Sequence, residues 1–272
     1  MPFNPEDYKK YEHYIVSEIE EGFIHVQFNN PKVYNAFSQK DWQDYRDILI
    51  KIDRQPETNV ILISSAFPKA FTSGLNMKAA AGLFASDDTD PDEKTRDIKV
   101  FVTEFQECIG MPATINTPTI ALLNGINFGL ALDIAAACTI RVATADAKFS
   151  IKEIKIGIAA DIGSLQRLPA ITNNKSLLFQ HALLGDDFSA EEALSLGLVS
   201  KVVPDIRAGI EYCTEIGQSI NKNIQWAIKG TKKHIQDIID GKSVEEGLRD
   251  VANYNATNIG GGLILSSRPV KL

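Results

Sequence analysis

The amino-acid sequence predicts an α/β core followed by a purely helical C-terminal region. Up to residue 203, short apolar segments bounded by turn-forming residues alternate with longer segments in which apolar residues recur at helical spacing. This alternation is typical of an α/β protein. After Asp205 only helical patterns remain. We therefore predict a core over residues 1–203 and a helical subdomain with a tail over residues 204–272.

The first part of the core is predicted to contain a hairpin, buried strands and amphipathic helices. Apolar and polar residues alternate on both sides of Glu20-Glu21-Gly22, as in a β-hairpin. Ser38 with Asp41 three positions later is a capping-box start for a helix. Residues 67–77 are predicted to be a loop, and residues 84–91 an exposed acidic segment. The predicted strands here are 14–19, 23–28, 59–64 and 119–123, and the predicted helices are 38–54 and 92–110.

The later segments are mainly helical. Residues 128–138 are apolar on nearly all sides, which indicates a buried helix. Ser243 with Glu246 is a second capping-box start. The predicted strands are 139–143, 148–151 and 198–203, and the predicted helices are 128–138, 163–168, 174–183, 189–196, 206–220, 224–239 and 243–255.

The composition excludes several classes of function. The 272 residues are 44% hydrophobic with a net charge of −7, so nucleic-acid binding is not the expected main function. No segment reaches the ~18 consecutive apolar residues of a membrane-spanning helix. The three cysteines and four histidines match no disulfide framework and no metal-ligand spacing. We expect no metal site.

Three acidic residues lie among apolar or small neighbours within about thirty positions, namely Asp133, Glu153 and Asp161. Acids in such surroundings have raised pKa values, which suits proton transfer. Each also has a structural explanation. Asp133 could be a helix-start charge paired with a lysine or with backbone, and Asp161 could cap the next helix. Glu153 could form a salt bridge with one of its basic neighbours, which are Lys152, Lys155 and Arg167.

Two turns that contain glycine stand near these acids in the predicted order of elements. One surrounds Gly74 after a buried strand, and the other surrounds Gly129 before the buried helix. Glycine lets backbone approach a ligand closely, and N–H groups at a helix start suit an oxyanion. A plain strand-to-helix turn is the alternative at Gly74. Three acids beside two such turns predict a buried acid/base site.

Several motifs in order resemble the crotonase (enoyl-CoA hydratase/isomerase) superfamily. The resemblance rests on Ala-Phe-Thr-Ser-Gly-Leu at 70–75, Leu-Asn-Gly at 123–125, and Gly-Ile-Ala-Ala-Asp-Ile-Gly-Ser-Leu-Gln-Arg-Leu-Pro at 157–169. Pro31 with Asn35-Ala36-Phe37, and residues 189–200, resemble further family motifs. The resemblance implies a β-β-α spiral core, an acyl-CoA thioester substrate, and C-terminal helices that build a homotrimer or, by pairing of trimers, a homohexamer.

Within the superfamily, the acids at 133, 153 and 161 resemble those of the Δ3,5-Δ2,4-dienoyl-CoA isomerases. Hydratases resemble one another in having glutamates at the first two places and glycine at the third. The resemblance implies proton transfer from C2 to C6 of a 3,5-dienoyl-CoA during β-oxidation of unsaturated fatty acids. It implies that Glu153 is the base, Asp161 is the acid and Asp133 modulates Glu153.

The resemblance also implies that the backbone N–H groups of Leu75 and Leu130 hold the thioester oxygen. The implied contacts with the CoA ester are Ser73, Gly74, Leu75, Asn76, Met77 and Leu130. No cofactor is implied, because the substrate itself carries coenzyme A. Leu130-Ala131 replaces two glycines of the family pattern, and Asn76 replaces an aspartate. We expect these replacements to affect the efficiency and the size of substrate accepted more than the type of reaction.

Three other functions and an uncertain location remain open at this point. A hydratase or a Δ3-Δ2-enoyl-CoA isomerase could have the same fold, although Asp161 counts against a hydratase. A non-catalytic acyl-CoA-binding protein is disfavoured because unpaired acids in an apolar site cost stability. The final Val270-Lys271-Leu272 matches the last two residues of the peroxisomal Ser-Lys-Leu address. This predicts a peroxisomal location, with cytoplasm or mitochondrion as the alternatives.

Overall fold

A computed structural model describes residues 3–78 and 90–259. Its larger sheet has six strands in the order β1-β2-β3-β5-β7-β10. The hairpin β1-β2 is antiparallel, and the remaining pairs are parallel. The strands in chain order are β1 Tyr14–Glu20, β2 Phe23–Phe28, β3 Val60–Ser65, β4 Ala70–Thr72, β5 Thr119–Leu123, β6 Ile126–Phe128, β7 Ile140–Thr144, β8 Lys148–Ser150, β9 Phe188–Ser189 and β10 Lys201–Val203.

A smaller sheet, in the order β4-β6-β8-β9, was not predicted. The prediction of a loop over 67–77 was wrong in part, because residues 70–72 form β4, and no strand was predicted at β6, over residues 126–128. Strands of two or three residues are too short for a periodic pattern to appear in the sequence. Strands β3, β5 and β7 each continue directly into a strand of this smaller sheet, and helices follow. The predicted β-β-α core is therefore confirmed.

The predicted helices agree with described ones to within a few residues, and the structure adds a short helix, α3, that was not predicted. Helix α1 begins with the expected capping box of Ser38 and Asp41. The buried helix α4 begins at Leu130, two residues later than predicted, because β6 occupies the preceding residues. The helices are α1 Gln39–Asp53, α2 Pro91–Ile109, α3 Met111–Thr114, α4 Leu130–Ala137, α5 Ser164–Ile171, α6 Lys175–Leu184, α7 Ala190–Ser195, α8 Ile206–Asn221, α9 Gln225–Ile239 and α10 Val244–Ile259.

Alternate residues of the larger sheet contribute to two hydrophobic clusters. On β3, Ile61 and Ile63 belong to the cluster that contains helices α1 and α4. Val60 and Leu62 belong to the second cluster, which helix α8 covers. Every residue of α4 is buried, including the carboxylate of Asp133. This places one of the three predicted acids inside the core.

Some predictions fall partly or wholly on residues outside the described ranges. These are most of the acidic segment 84–91, the tail from residue 260, and the C-terminal Val270-Lys271-Leu272. Among residues 3–78 and 90–259, no helix is both long enough and apolar enough to cross a membrane.

Candidate active site

The three predicted acids line one cavity of about 190 Å³. Asp133 comes from α4, Glu153 begins a short 3-10 helix over Glu153–Ile156, and Asp161 lies in the turn before α5. Most of the remaining lining is apolar. It includes Leu75, Met77, Phe101, Val102, Phe105, Phe128, Leu130, Ile156, Ile158 and Ile162.

Asp133 is fixed by two hydrogen bonds from one residue. The backbone N–H and the hydroxyl of Ser164 both donate to Oδ1 of Asp133, each at 2.6 Å. Burial raises the pKa of Asp133 to about 6, and these hydrogen bonds oppose that rise. The backbone alternative considered for Asp133 therefore applies, but the N–H group belongs to helix α5 and not to the helix of Asp133 itself.

Glu153 has a buried oxygen with no partner. Its Oε2 accepts no hydrogen bond, and among the described residues its carboxylate forms no salt bridge. The neighbouring Lys152 is instead paired with Asp187. Burial raises the pKa of Glu153 to about 7, with smaller contributions from the charges of Asp133 and Asp161. A carboxylate with such a pKa can take up a proton near neutral pH.

Glu153 and Gly129 are in close contact. Gly129 has φ +53° and ψ −110°, a conformation that other residues rarely adopt. A Cβ atom at this position would lie 2.8 Å from Oε1 of Glu153. Glycine is therefore required here both by the backbone and by the carboxylate that faces it.

Asp161 does not cap helix α5, contrary to the structural alternative. The N-cap residue is Gly163, and the N–H of Ser164 is satisfied by Asp133. The backbone carbonyl oxygen of Asp161 accepts a hydrogen bond from Nε2 of Gln106 at 2.5 Å. Partial burial raises the pKa of the Asp161 carboxyl. The side chain lines the same cavity as Glu153.

Leu75 and Leu130, whose backbone N–H groups were predicted to hold the thioester oxygen, both line the cavity. Within the described residues, neither N–H donates to an acceptor, whereas the flanking N–H groups of Asn76 and Gly129 donate to Phe37 and Ser150. The two leucines belong to segments that pack closely, since a Cβ atom on Gly74 would lie 4.0 Å from the nitrogen of Leu130. Leu130 is also the first residue of α4, where the helix dipole favours negative charge.

Most of the predicted contact residues face the cavity. Ser73, Gly74, Leu75, Met77 and Leu130 line it, whereas Asn76 is not part of the lining. Sequence reasoning missed the α2 residues Phe101, Val102 and Phe105, together with Lys152, Ile156, Ile158 and Ile162. The helical spacing of the α2 residues was visible in the sequence. That spacing does not distinguish residues that fill a core from residues that line a cavity.

Two larger cavities adjoin helix α5. One of about 470 Å³ shares Asp161 and Ile162 with the acid-lined cavity. The other, of about 460 Å³, lies between α5 and α9. Arg167 borders both of them. Among the residues that the structure describes, no group of three or more His, Cys, Asp or Glu side chains could hold a metal ion.

Comparisons with known proteins agree with the fold and the order of motifs. The sequence profile of the enoyl-CoA hydratase/isomerase family matches residues 18–258. The human mitochondrial Δ(3,5)-Δ(2,4)-dienoyl-CoA isomerase is 32% identical over 246 residues, which are 90% of this chain and 74% of that protein. The peroxisomal enzyme of the same name from Arabidopsis thaliana is 32% identical over 253 residues, which are 92% of this chain and 90% of that protein.

A solved structure supports the same conclusion for the fold. The crystal structure of an enoyl-CoA hydratase from Bacillus anthracis matches with a TM-score of 0.81 at 24% sequence identity, covering 92% of each chain. At this identity the similarity concerns the fold alone. The profile match and the two isomerase relatives show the relationship at the level of sequence in addition to the fold. The chain belongs to the enoyl-CoA hydratase/isomerase family.

Proposed function

We propose that this protein is an isomerase that converts 3,5-dienoyl-CoA to 2,4-dienoyl-CoA in the β-oxidation of unsaturated fatty acids. The observation that carries the proposal is that Asp161 lines the same cavity as Glu153. Moving a proton between C2 and C6 needs two separated proton-transfer groups, whereas a single base suffices for a shorter shift. The names of the human and Arabidopsis relatives support the same reaction.

The first step removes a proton from C2 of the substrate. The thioester oxygen accepts hydrogen bonds from the N–H groups of Leu75 and Leu130, which stabilise the negative charge of the dienolate. Glu153 takes the C2 proton. Its pKa of about 7 leaves a useful fraction ionised at neutral pH, and its unbonded Oε2 is available as the acceptor.

The second step adds a proton at C6. The electron pair left at C2 is delocalised over the conjugated chain, so that protonation at C6 moves the double bonds to C2–C3 and C4–C5. Asp161 donates this proton, and its raised pKa favours the protonated form that the step requires. After the reaction Glu153 carries a proton and Asp161 is ionised, and a net proton transfer between them restores the starting state.

Asp133 modulates Glu153 without reacting. Its hydrogen bonds with Ser164 hold Oδ1 in place, and its negative charge contributes to the raised pKa of Glu153. Because the three carboxyl groups influence one another, the cluster titrates as a set. We infer no cofactor beyond the coenzyme A that the substrate carries.

The test follows the ultraviolet absorbance of the conjugated product when pure protein is mixed with 3,5-dienoyl-CoA. We expect a 2,4-diene signal, and its absence with folded protein contradicts the proposal. Parallel incubations with 2-enoyl-CoA and 3-enoyl-CoA test the hydratase and the Δ3-Δ2-isomerase alternatives. Binding of these esters without any turnover would favour the non-catalytic alternative.

Two variants test the assigned roles. We expect Asp161→Asn to stop product formation while deuterium exchange at C2 continues in D₂O and CoA-ester affinity stays within a few-fold. Glu153→Gln should abolish both the exchange and the product. Asp47→Asn, which alters an exposed carboxylate on α1, is the matched control and should behave as the unchanged protein. Loss of C2 exchange in Asp161→Asn would contradict the division of roles.

We propose a peroxisomal location. The C-terminal Val270-Lys271-Leu272 and the name of the Arabidopsis relative support it, although the human relative is named as mitochondrial. A fluorescent reporter carrying residues 261–272 should enter peroxisomes, and the same reporter without Leu272 should remain outside. A reporter that stays in the cytosol in both forms would contradict the proposal.

We also propose assembly into a homotrimer or homohexamer. Large apolar side chains are exposed on the last two helices, with Ile235, Val244 and Leu248 at 59%, 70% and 64% exposure. Large apolar side chains that one chain leaves exposed can be buried in an interface between copies. Light scattering should give three or six times the chain mass of 29.9 kDa, and a mass equal to one chain would refute the assembly.

A further inference from the structure

Arg167 of helix α5 has its guanidinium in a slot between two glycines. A Cβ atom on Gly110, at the end of α2, would lie 2.9 Å from Nη2 of Arg167. A Cβ atom on Gly163, the N-cap of α5, would lie 2.0 Å from Nη1. A larger residue at either position would collide with the guanidinium. Gly110, at the end of α2, and Gly163, four residues before Arg167, therefore both lie against the guanidinium.

The guanidinium in this slot has no counter-ion of its own. Within residues 3–78 and 90–259, the Arg167 guanidinium forms neither a hydrogen bond nor an ion pair, whereas the guanidinium of Arg141, which borders the same cavity, donates to backbone carbonyl groups. Arg167 is half-buried. A partly buried charge costs free energy unless it interacts favourably with other charges.

The carboxylate of Asp133 lies close to this slot. The same Cβ atom on Gly163 that would collide with Arg167 would lie 3.9 Å from Oδ1 of Asp133. Gly163 therefore lies close to both the guanidinium and the buried carboxylate. The positive charge of Arg167 lowers the pKa of Asp133, in opposition to burial and to the charge of Asp161.

The electrostatic surroundings of Arg167 and Asp133 include several other groups. Glu153 and Asp161 line the acid-lined cavity together with Asp133. The other charged or titratable groups that border the two larger cavities beside Arg167 are Cys138, Arg141, Lys232 and Asp240. Of these, Lys232 is bonded to three backbone carbonyl groups. Lys152 lines the acid-lined cavity but is paired with Asp187. Arg167 differs from these cations in that its guanidinium has no partner among the described residues.

We propose that Arg167 is a positioning residue of the active site, whose guanidinium holds the turn at Gly163 against the end of α2 and places a positive charge beside Asp133. Asp133 then retains the negative charge that acts on Glu153. Without the guanidinium, Asp133 takes up a proton at a higher pH, and the proton balance of the whole cluster changes with it. The role in catalysis rests on the proposed isomerase function, whereas the effect on Asp133 does not.

The direct test measures the titration of Asp133 in protein that carries ¹³C at the aspartate carboxyl carbon. The signal is assigned by its disappearance in Asp133→Asn. We expect Arg167→Gln to raise the titration midpoint by about one pH unit, as loss of an opposite charge at this range does. Arg167→Lys should restore most of the shift. Arg207→Gln removes an exposed arginine of α8 and should leave the midpoint unchanged.

The outcomes separate this inference from the proposed function. An unchanged midpoint in folded Arg167→Gln overturns the role of Arg167, even if the enzyme isomerises its substrate. If Arg167→Gln does not fold, Arg167→Met, which keeps an unbranched side chain but removes the charge, should move the midpoint upward, and no movement overturns the inference. Absence of turnover in the unchanged protein contradicts only the isomerase proposal.

Discussion

The contact between Gly129 and Glu153 allows the position of the proposed base to be tested without altering its chemistry. Gly129→Ala adds a single methyl group, and its Cβ would lie 2.8 Å from Oε1 and 3.5 Å from Cδ of Glu153. The substitution also forces alanine into a backbone conformation with φ +53° and ψ −110°. It therefore has two separable effects, a strained backbone and a displaced carboxylate.

Both effects can be given a size. A non-glycine residue in such a region of φ/ψ space costs about 1–3 kcal/mol, so the free energy of unfolding should fall by about 2 kcal/mol. The methyl group is at least about half an ångström too close to Oε1 of Glu153, so the carboxylate must move. A misplacement of about 1 Å can cost about 10²-fold in rate. We expect kcat/KM for 3,5-dienoyl-CoA to fall by about that factor.

The assay combines urea unfolding with the absorbance assay for the 2,4-diene. Gly241→Ala is the matched control, because Gly241 also has a positive φ (+98°) but no atom within 4 Å of the added Cβ. It should lose a similar amount of stability and keep its activity. The reasoning is refuted if Gly129→Ala is destabilised but retains full kcat/KM, or if both variants lose activity equally.

Two further predictions concern stability. Folding raises the pKa of Glu153 from 4.5 to about 7, so the folded protein binds this proton more tightly than the unfolded chain and loses stability as the pH rises from about 4.5 to about 7. Glu153→Gln should therefore increase the free energy of unfolding by about 3 kcal/mol at pH 8.5, and urea unfolding should show this gain disappear toward pH 4.5. A constant gain would contradict the assignment. Lys232→Met removes the buried donor to the carbonyl groups of Pro112, Ile115 and Thr117 and should cost about 3 kcal/mol. Lys233→Met, which alters an exposed neighbour, should leave the free energy of unfolding almost unchanged in the same measurement. Equal losses of stability in both variants would refute the reasoning.

The larger sheet and the helices were predictable because their patterns are long enough to repeat. The capping box of Ser38 and Asp41 and the apolar run at β5 gave element positions that the structure confirms. The smaller sheet was not predictable in this way. Its strands β4, β6 and β9 have two or three residues, and their pairing depends on long-range contacts that no local pattern records.

The candidate site was predictable to a similar extent. Asp133, Glu153 and Asp161 stand out in the sequence because acids are uncommon in apolar surroundings, and the structure places them around one cavity. Their partners do not stand out. Neither the hydrogen bonds from Ser164 to Asp133 nor the approach of Arg167 to Gly110 can be inferred from spacing, because each joins elements whose relative position only the tertiary structure fixes.

The assignment of the helix cap bears directly on the proposed chemistry. The sequence favours Asp161 as the cap because it stands just before α5, yet the structure gives the first N–H group of α5 to Asp133. A carboxylate that accepts two short hydrogen bonds is stabilised as an anion and held in one orientation. Such a group suits a fixed charge better than a proton donor. Because Asp133 accepts the hydrogen bond from the first N–H group of α5, the side chain of Asp161 does not cap this helix. It lines the cavity instead. Its raised pKa there favours the proposed donation of a proton at C6.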